Sequence, residues 1–99
     1  MRIEWTQNAI SDLAAIYEFI ATDSPRYALS VVDRLTKRTT QLSSFPLSGQ
    51  MVPEYQRKDI REVVEFSYRV LYHVGPSAIS IVALIHGAHP LPDSPPLTD

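Results

Sequence analysis

Apolar positions along this chain change their spacing twice. From Gln7 to Ala21 they recur at three- and four-residue steps through Ala9, Ile10, Leu13, Ile16, Tyr17 and Ile20, the spacing of one buried helical face. Thr6 stands where an N-cap belongs. A second stripe, Ala28, Val32, Leu35, Thr39 and Leu42 with Val31 beside it, predicts a helix from about Pro25 to Ser43. Thr22-Asp23-Ser24-Pro25 separates the two: Ser24 is a good N-cap, and Pro25 fits a first helical position, where its missing N–H costs nothing. So short a turn makes the helices an antiparallel hairpin.

After residue 58 the period becomes two. Asp59 to Glu65 alternates, Phe66-Ser67 is a short connection, Tyr68 to Val74 alternates again, and Gly75-Pro76-Ser77 is a turn. Ala78 to His86 is apolar on both sides, which predicts a strand covered on both faces. Three strands joined this tightly predict an antiparallel meander. The helical hairpin should pack on one of its faces, and the alternating residues 2–5 should add a strand. The expected class is therefore α+β. Residues 44–58 carry Pro46, Gly49 and Pro53 among apolar anchors and read as an ordered loop. Residues 1–89 form the expected domain; residues 90–99, with four prolines, read as an extended and mobile tail.

Composition narrows the class. Ninety-nine residues at 44% hydrophobic and 20% charged make one ordinary globular domain and exclude a disordered chain. No uncharged apolar stretch approaches the ~20 residues of a membrane span, and the opening Met1-Arg2-Ile3-Glu4-Trp5 lacks the apolar core of a signal peptide. A cytoplasmic location is expected. With no cysteine there is no disulfide framework or thiolate site. A net charge of −2 does not suit a protein that holds bulk nucleic acid by phosphate neutralisation. Basic residues nevertheless cluster at Arg34, Lys37 and Arg38, and at Arg57, Lys58 and Arg61 with Arg69 following. A local basic face on an acidic body suits an acidic protein segment.

Several phrases occur in a telling order: Trp5-Thr6 opening a helix, Asp23-Ser24-Pro25, Phe45-Pro46-Leu47-Ser48-Gly49, Ile60-Arg61-Glu62, Tyr68-Arg69-Val70-Leu71-Tyr72 and His86-Gly87. Over residues 2–91 the chain resembles the RelE/ParE superfamily of toxins from type II toxin–antitoxin systems, most closely its ParE branch. The resemblance implies a small α+β toxin held inactive by a cognate antitoxin and reaching DNA only through it. ParE-like members inhibit DNA gyrase by binding; RelE-like members enter the ribosome and cut messenger RNA. A degenerate toxin that only binds antitoxin is a further alternative.

The residues favour the first. RNA cleavage by a 2′-hydroxyl needs a base, an acid and cations for the phosphate. Laid on the RelE pattern through Tyr68-Arg69, Arg69 is retained. The strand lysines fall at Ile60 and Glu62, the later arginine falls at His89, and the C-terminal tyrosine falls near Pro95. Glu62 would oppose phosphate where a cation should hold it. The enzymatic alternative keeps Arg69, His86, His89 and Glu62 as its candidates, since histidine near its ordinary pKa suits proton transfer at neutral pH. Against it, His86 reads plainly as a strand end at the solvent edge. Arg61 and Arg69 are the candidate antitoxin contacts, flanking an expected groove between helices and sheet; ion pairs on the sheet face are the plainer role. Arg34, Lys37 and Arg38 are candidate target contacts or simply a solvated helix face. No phosphate-cradling loop, nucleophile elbow or metal-ligand cluster appears, so no cofactor and no metal is expected.

Overall fold

A computed structural model describes residues 1–97. The elements run β1 (Arg2–Trp5), α1 (Gln7–Ala21), α2 (Pro25–Thr40), a 3-10 turn (Gln41–Ser43), β2 (Gln50–Met51), β3 (Ile60–Glu65), β4 (Tyr68–Val74) and β5 (Ala78–His86). Both helix starts are capped as their sequences require. The Thr6 hydroxyl accepts from the Ala9 amide at 3.1 Å and the Ser24 hydroxyl from the Tyr27 amide at 3.1 Å, each satisfying one otherwise orphaned donor.

The sheet has five strands in the order β1-β5-β4-β3-β2. β3, β4 and β5 form the expected meander. β1 lies parallel to β5, with Arg2 opposite Ala78 and Trp5 opposite Ile81. The short β2 was not expected. It arises inside the 44–58 segment, where Gln50 and Met51 pair with Glu62 and Arg61; two residues are too few for alternation to announce a strand.

One face of the sheet carries the helices. Val63, Val70, Tyr72, Ile79, Ile81 and Leu84 meet Ala9, Ile16, Val31 and Leu35 there. The helix stripes sit slightly rotated from expectation. Ile10 is 48% exposed and Tyr17 is only half-buried, whereas Ala9 and Ile16 are the buried α1 residues, and in α2 Val31 is more deeply buried than Val32. The expected stripes are thus buried along one edge more than the other, since adjacent residues point about 100° apart around a helix.

The opposite face has its own small core of Val52, Ile60, Leu71, Val82 and Ala83, against which Tyr55, Ile85, Leu91 and Leu97 pack. The Tyr55 hydroxyl donates to the Pro92 carbonyl at 2.8 Å. The tail expected to be mobile is therefore laid on the sheet as far as Leu97, because its two leucines find apolar surface that the helices leave uncovered. Thr98 and Asp99 lie outside the described residues.

A bulge in β5 serves both cores. Leu71 faces Ala83 and Tyr72 faces Ile81, so Val82 is an extra residue. Val82 and Ala83 consequently both join the second core, while Ile81 and Leu84 both join the first.

Candidate interaction site

Glu62 on β3 and Arg69 on β4 point away from the helices. In register Arg69 faces Val64, so Glu62 is its diagonal neighbour on that face. The Arg69 Nε donates to Glu62 Oε1 at 2.7 Å and Nη2 to Glu62 Oε2 at 2.8 Å. From the loop after β2, Glu54 receives Nη1 at 2.7 Å and Nη2 at 2.9 Å. Two carboxylates thus embrace one guanidinium. Their surroundings differ: the Glu62 side chain is 2% exposed and that of Glu54 is 45% exposed. Hydrogen bonding to Arg69 pulls the Glu54 carboxyl down to about 2 from an ordinary 4.5, and the glutamates, Glu54 foremost, push the Arg69 pKa upward.

This trio borders an open cleft of about 670 Å³, with Val64 and His86 also on its rim. His86 reaches this rim at the strand end only: it stands opposite Tyr68 in the β4–β5 register, which places its ring on the helix face, away from the carboxylates and guanidinium of Glu62 and Arg69. His89 lies beyond, its ring centroid 5.8 Å from that of His86, and faces a second groove of about 530 Å³ formed with Asp12, Ile16, Phe19 and Leu84. His86 is exposed at the end of β5, its ring edge-on to Tyr68 at 5.7 Å.

Arg61 does not join Arg69. It stands directly opposite Tyr72 in the β3–β4 register, and strand alternation therefore places it on the helix face, opposite to Arg69. Its guanidinium donates to the Gly49 carbonyl at 2.9 Å and the Lys58 carbonyl at 3.1 Å. The expected groove flanked by both arginines does not form; Arg61 ties down the loop that precedes β3. The α2 basic residues are also engaged. Arg34 donates to Glu65 at 2.7 Å and lies 4.4 Å over the Phe66 ring, Lys37 pairs with Asp33 at 3.0 Å, and Arg38 donates to Gln41 at 3.2 Å.

Sequence reasoning missed Glu54 and Phe66. Glu54 sits in a loop with no period to place it. Phe66 has φ 56°, a left-handed conformation that glycine or asparagine usually supplies. The signal was there: a two-residue connection between alternating strands demands an unusual turn backbone.

No group of three or more His, Asp or Glu among the described residues is arranged to hold a metal ion. Nor is any helix among them long and apolar enough to cross a membrane.

The family model for the ParE toxin of the type II toxin–antitoxin system parDE matches residues 3–90. The chain belongs to this toxin family. It is 30% identical over 87 residues to Toxin RelE2 of Caulobacter vibrioides, an alignment that covers 88% of this chain and 96% of that one. Its fold is similar to a chain of a chromosomal ParDE TA system from P. aeruginosa, with TM-score 0.72 and 22% identity, covering 87% of this chain and 95% of that one. As a member of the ParE/RelE toxins the family chain is the toxin of a type II toxin–antitoxin system, and an antitoxin partner follows from that membership.

Proposed function

We propose that this toxin inhibits DNA gyrase by occupying it, with no bond-breaking chemistry of its own, and that a cognate antitoxin neutralises it. One observation carries the reading: Arg69, the retained member of the RelE-like cationic set, has its guanidinium taken by Glu54 and Glu62. A phosphate approaching that cleft meets two carboxylates against one cation. With Ile60 and Glu62 where lysines would stand, the site lacks the charge to stabilise a pentavalent phosphorane. The α2 face, with Lys37 74% exposed in its side chain, is the proposed gyrase contact.

The ribonuclease reading retains one specific support, a cleft rim that carries Glu62, Arg69 and the strand end at His86 in a chain similar to a protein named RelE2, although the His86 ring turns to Tyr68 on the other face. Both Glu62 oxygens are occupied by Arg69, which leaves neither oxygen free to face a substrate hydroxyl. Adding the toxin to purified gyrase with supercoiled DNA, and in parallel to a ribosome programmed with messenger RNA, separates the two. Linear DNA trapped on gyrase beside intact RNA is expected; cut RNA with freely religated DNA would reverse the assignment.

A further inference from the structure

We propose that Arg69 is an exchange site for a protein carboxylate: an Asp or Glu side chain of the antitoxin takes the place of Glu54 on the guanidinium while Glu62 stays bound. This rests on the reading that an antitoxin neutralises the toxin, and it names the group on the toxin that the partner captures. The two glutamates are not equivalent. Glu62 is enclosed in the sheet face and cannot leave without stranding a buried charge. Glu54 reaches Arg69 from a loop and its side chain is 45% exposed. That loop is anchored on either side of Glu54 by buried Val52 and half-buried Tyr55, so Glu54 departs by rotating its side chain alone. Four of the five guanidinium N–H groups point to carboxylate oxygens, a fork that an incoming carboxylate reproduces bond for bond.

Charge selects the occupant. Replacing one carboxylate by another leaves the cluster at one cation to two anions. A phosphodiester also carries one negative charge, but with its neighbours it brings a polyanion against buried Glu62. The cleft beside Arg69 is open, and Val64, directly opposite Arg69 in register, is 58% exposed. An apolar neighbour of the partner's acidic residue has a surface to rest on there. Glu54 is thus an internal placeholder that keeps Arg69 paired until the partner arrives.

The test uses full-length toxin and its cognate antitoxin. Calorimetry compares wild type with Glu54→Gln, an exposed substitution that leaves the Glu62–Arg69 pair intact. Removal of the internal competitor should tighten the complex roughly fivefold. In parallel, toxin with 13C-labelled glutamate carboxyls is titrated with acid alone and in complex. Glu54 should titrate at about 2 in the free toxin and return toward 4.5 once displaced. Equal affinities, or a Glu54 still titrating at about 2 in the complex, overturn the exchange while leaving the antitoxin reading intact. Absence of any complex overturns both. Displacement of Glu54 by a short RNA oligonucleotide but not by antitoxin overturns the assignment in favour of nucleic acid.

Discussion

The Tyr72 hydroxyl accepts a hydrogen bond from the Gly49 amide at 2.9 Å and donates to the Pro46 carbonyl at 2.9 Å. A fully buried strand residue thereby reads out both ends of the Pro46–Gly49 turn. A Cβ added to Gly49 would lie 2.5 Å from both the Tyr72 hydroxyl and the Glu62 carbonyl, so only glycine allows β3, the turn and the tyrosine to converge. Tyr72→Phe leaves the amide and carbonyl unpaired and should cost roughly 1–3 kcal/mol. Gly49→Ala should cost at least as much through backbone displacement. Urea denaturation of each variant measures these losses.

The same relationship explains how much of the fold the sequence announced. The alternation of Tyr68 to Val74 announces the strand that carries Tyr72, and Thr6, Ser24 and Pro25 announce the helix starts, because each of these signals is local. The partner of a side chain across the sheet is not local. Arg61 and Arg69 are close in sequence, which suggests a shared groove, but closeness in sequence is not closeness in space. Their separation of eight residues spans a hairpin, and the register puts them on opposite faces. The packing of the tail is hidden for a related reason: proline excludes regular structure but not packing, and the surface that receives Leu91 and Leu97 forms only when the second core assembles.

Arg69 should matter more to stability than either exposed pair on α2. Arg69→Gln leaves the Glu62 carboxylate buried without its cation and should destabilise by about 3–5 kcal/mol. Glu54→Gln should cost under ~1 kcal/mol, given its exposure. The double substitution Glu62→Gln/Arg69→Gln should recover much of the first loss, which a denaturation series on the three variants would reveal.

Acid should weaken the fold through Glu54. Its carboxyl is depressed by the Arg69 hydrogen bond, from 4.5 to about 2. The stabilisation is complete above 4.5 and is lost as pH falls toward 2. Thermal melts of wild type should show a decline in that window, shallower in Glu54→Gln; identical slopes would contradict the pairing.

Asp12 acts in the opposite sense. It accepts from the Leu84 amide at 3.0 Å beyond the point where β1 ceases to cover β5, while burial raises its pKa above 3.8 despite that bond. Its contribution is complete below 3.8 and is lost as pH rises through the raised value. Asp12→Asn keeps an oxygen acceptor without the charge, so it should be neutral or stabilising at pH 7 by about 1 kcal/mol or less. Comparing the melts of both forms at pH 3 and pH 7 checks the crossover.

Truncation after His89 should expose the second core. Loss of Leu91, Leu97 and the Tyr55–Pro92 bond predicts a destabilisation of about 2–4 kcal/mol, from two partly buried leucines and one hydrogen bond. Increased binding of an apolar dye to the folded truncated form would accompany it; unchanged denaturation and dye binding would return the tail to a free arm.

Occupancy without chemistry is tested most directly by the His86→Ala/His89→Ala variant, which removes both candidate proton-transfer histidines. Mixed with gyrase and supercoiled DNA, it should trap as much linear DNA as the wild type, and neither form should shorten messenger RNA on the ribosome. Cleavage of that RNA by wild type and its loss in the variant would contradict the account.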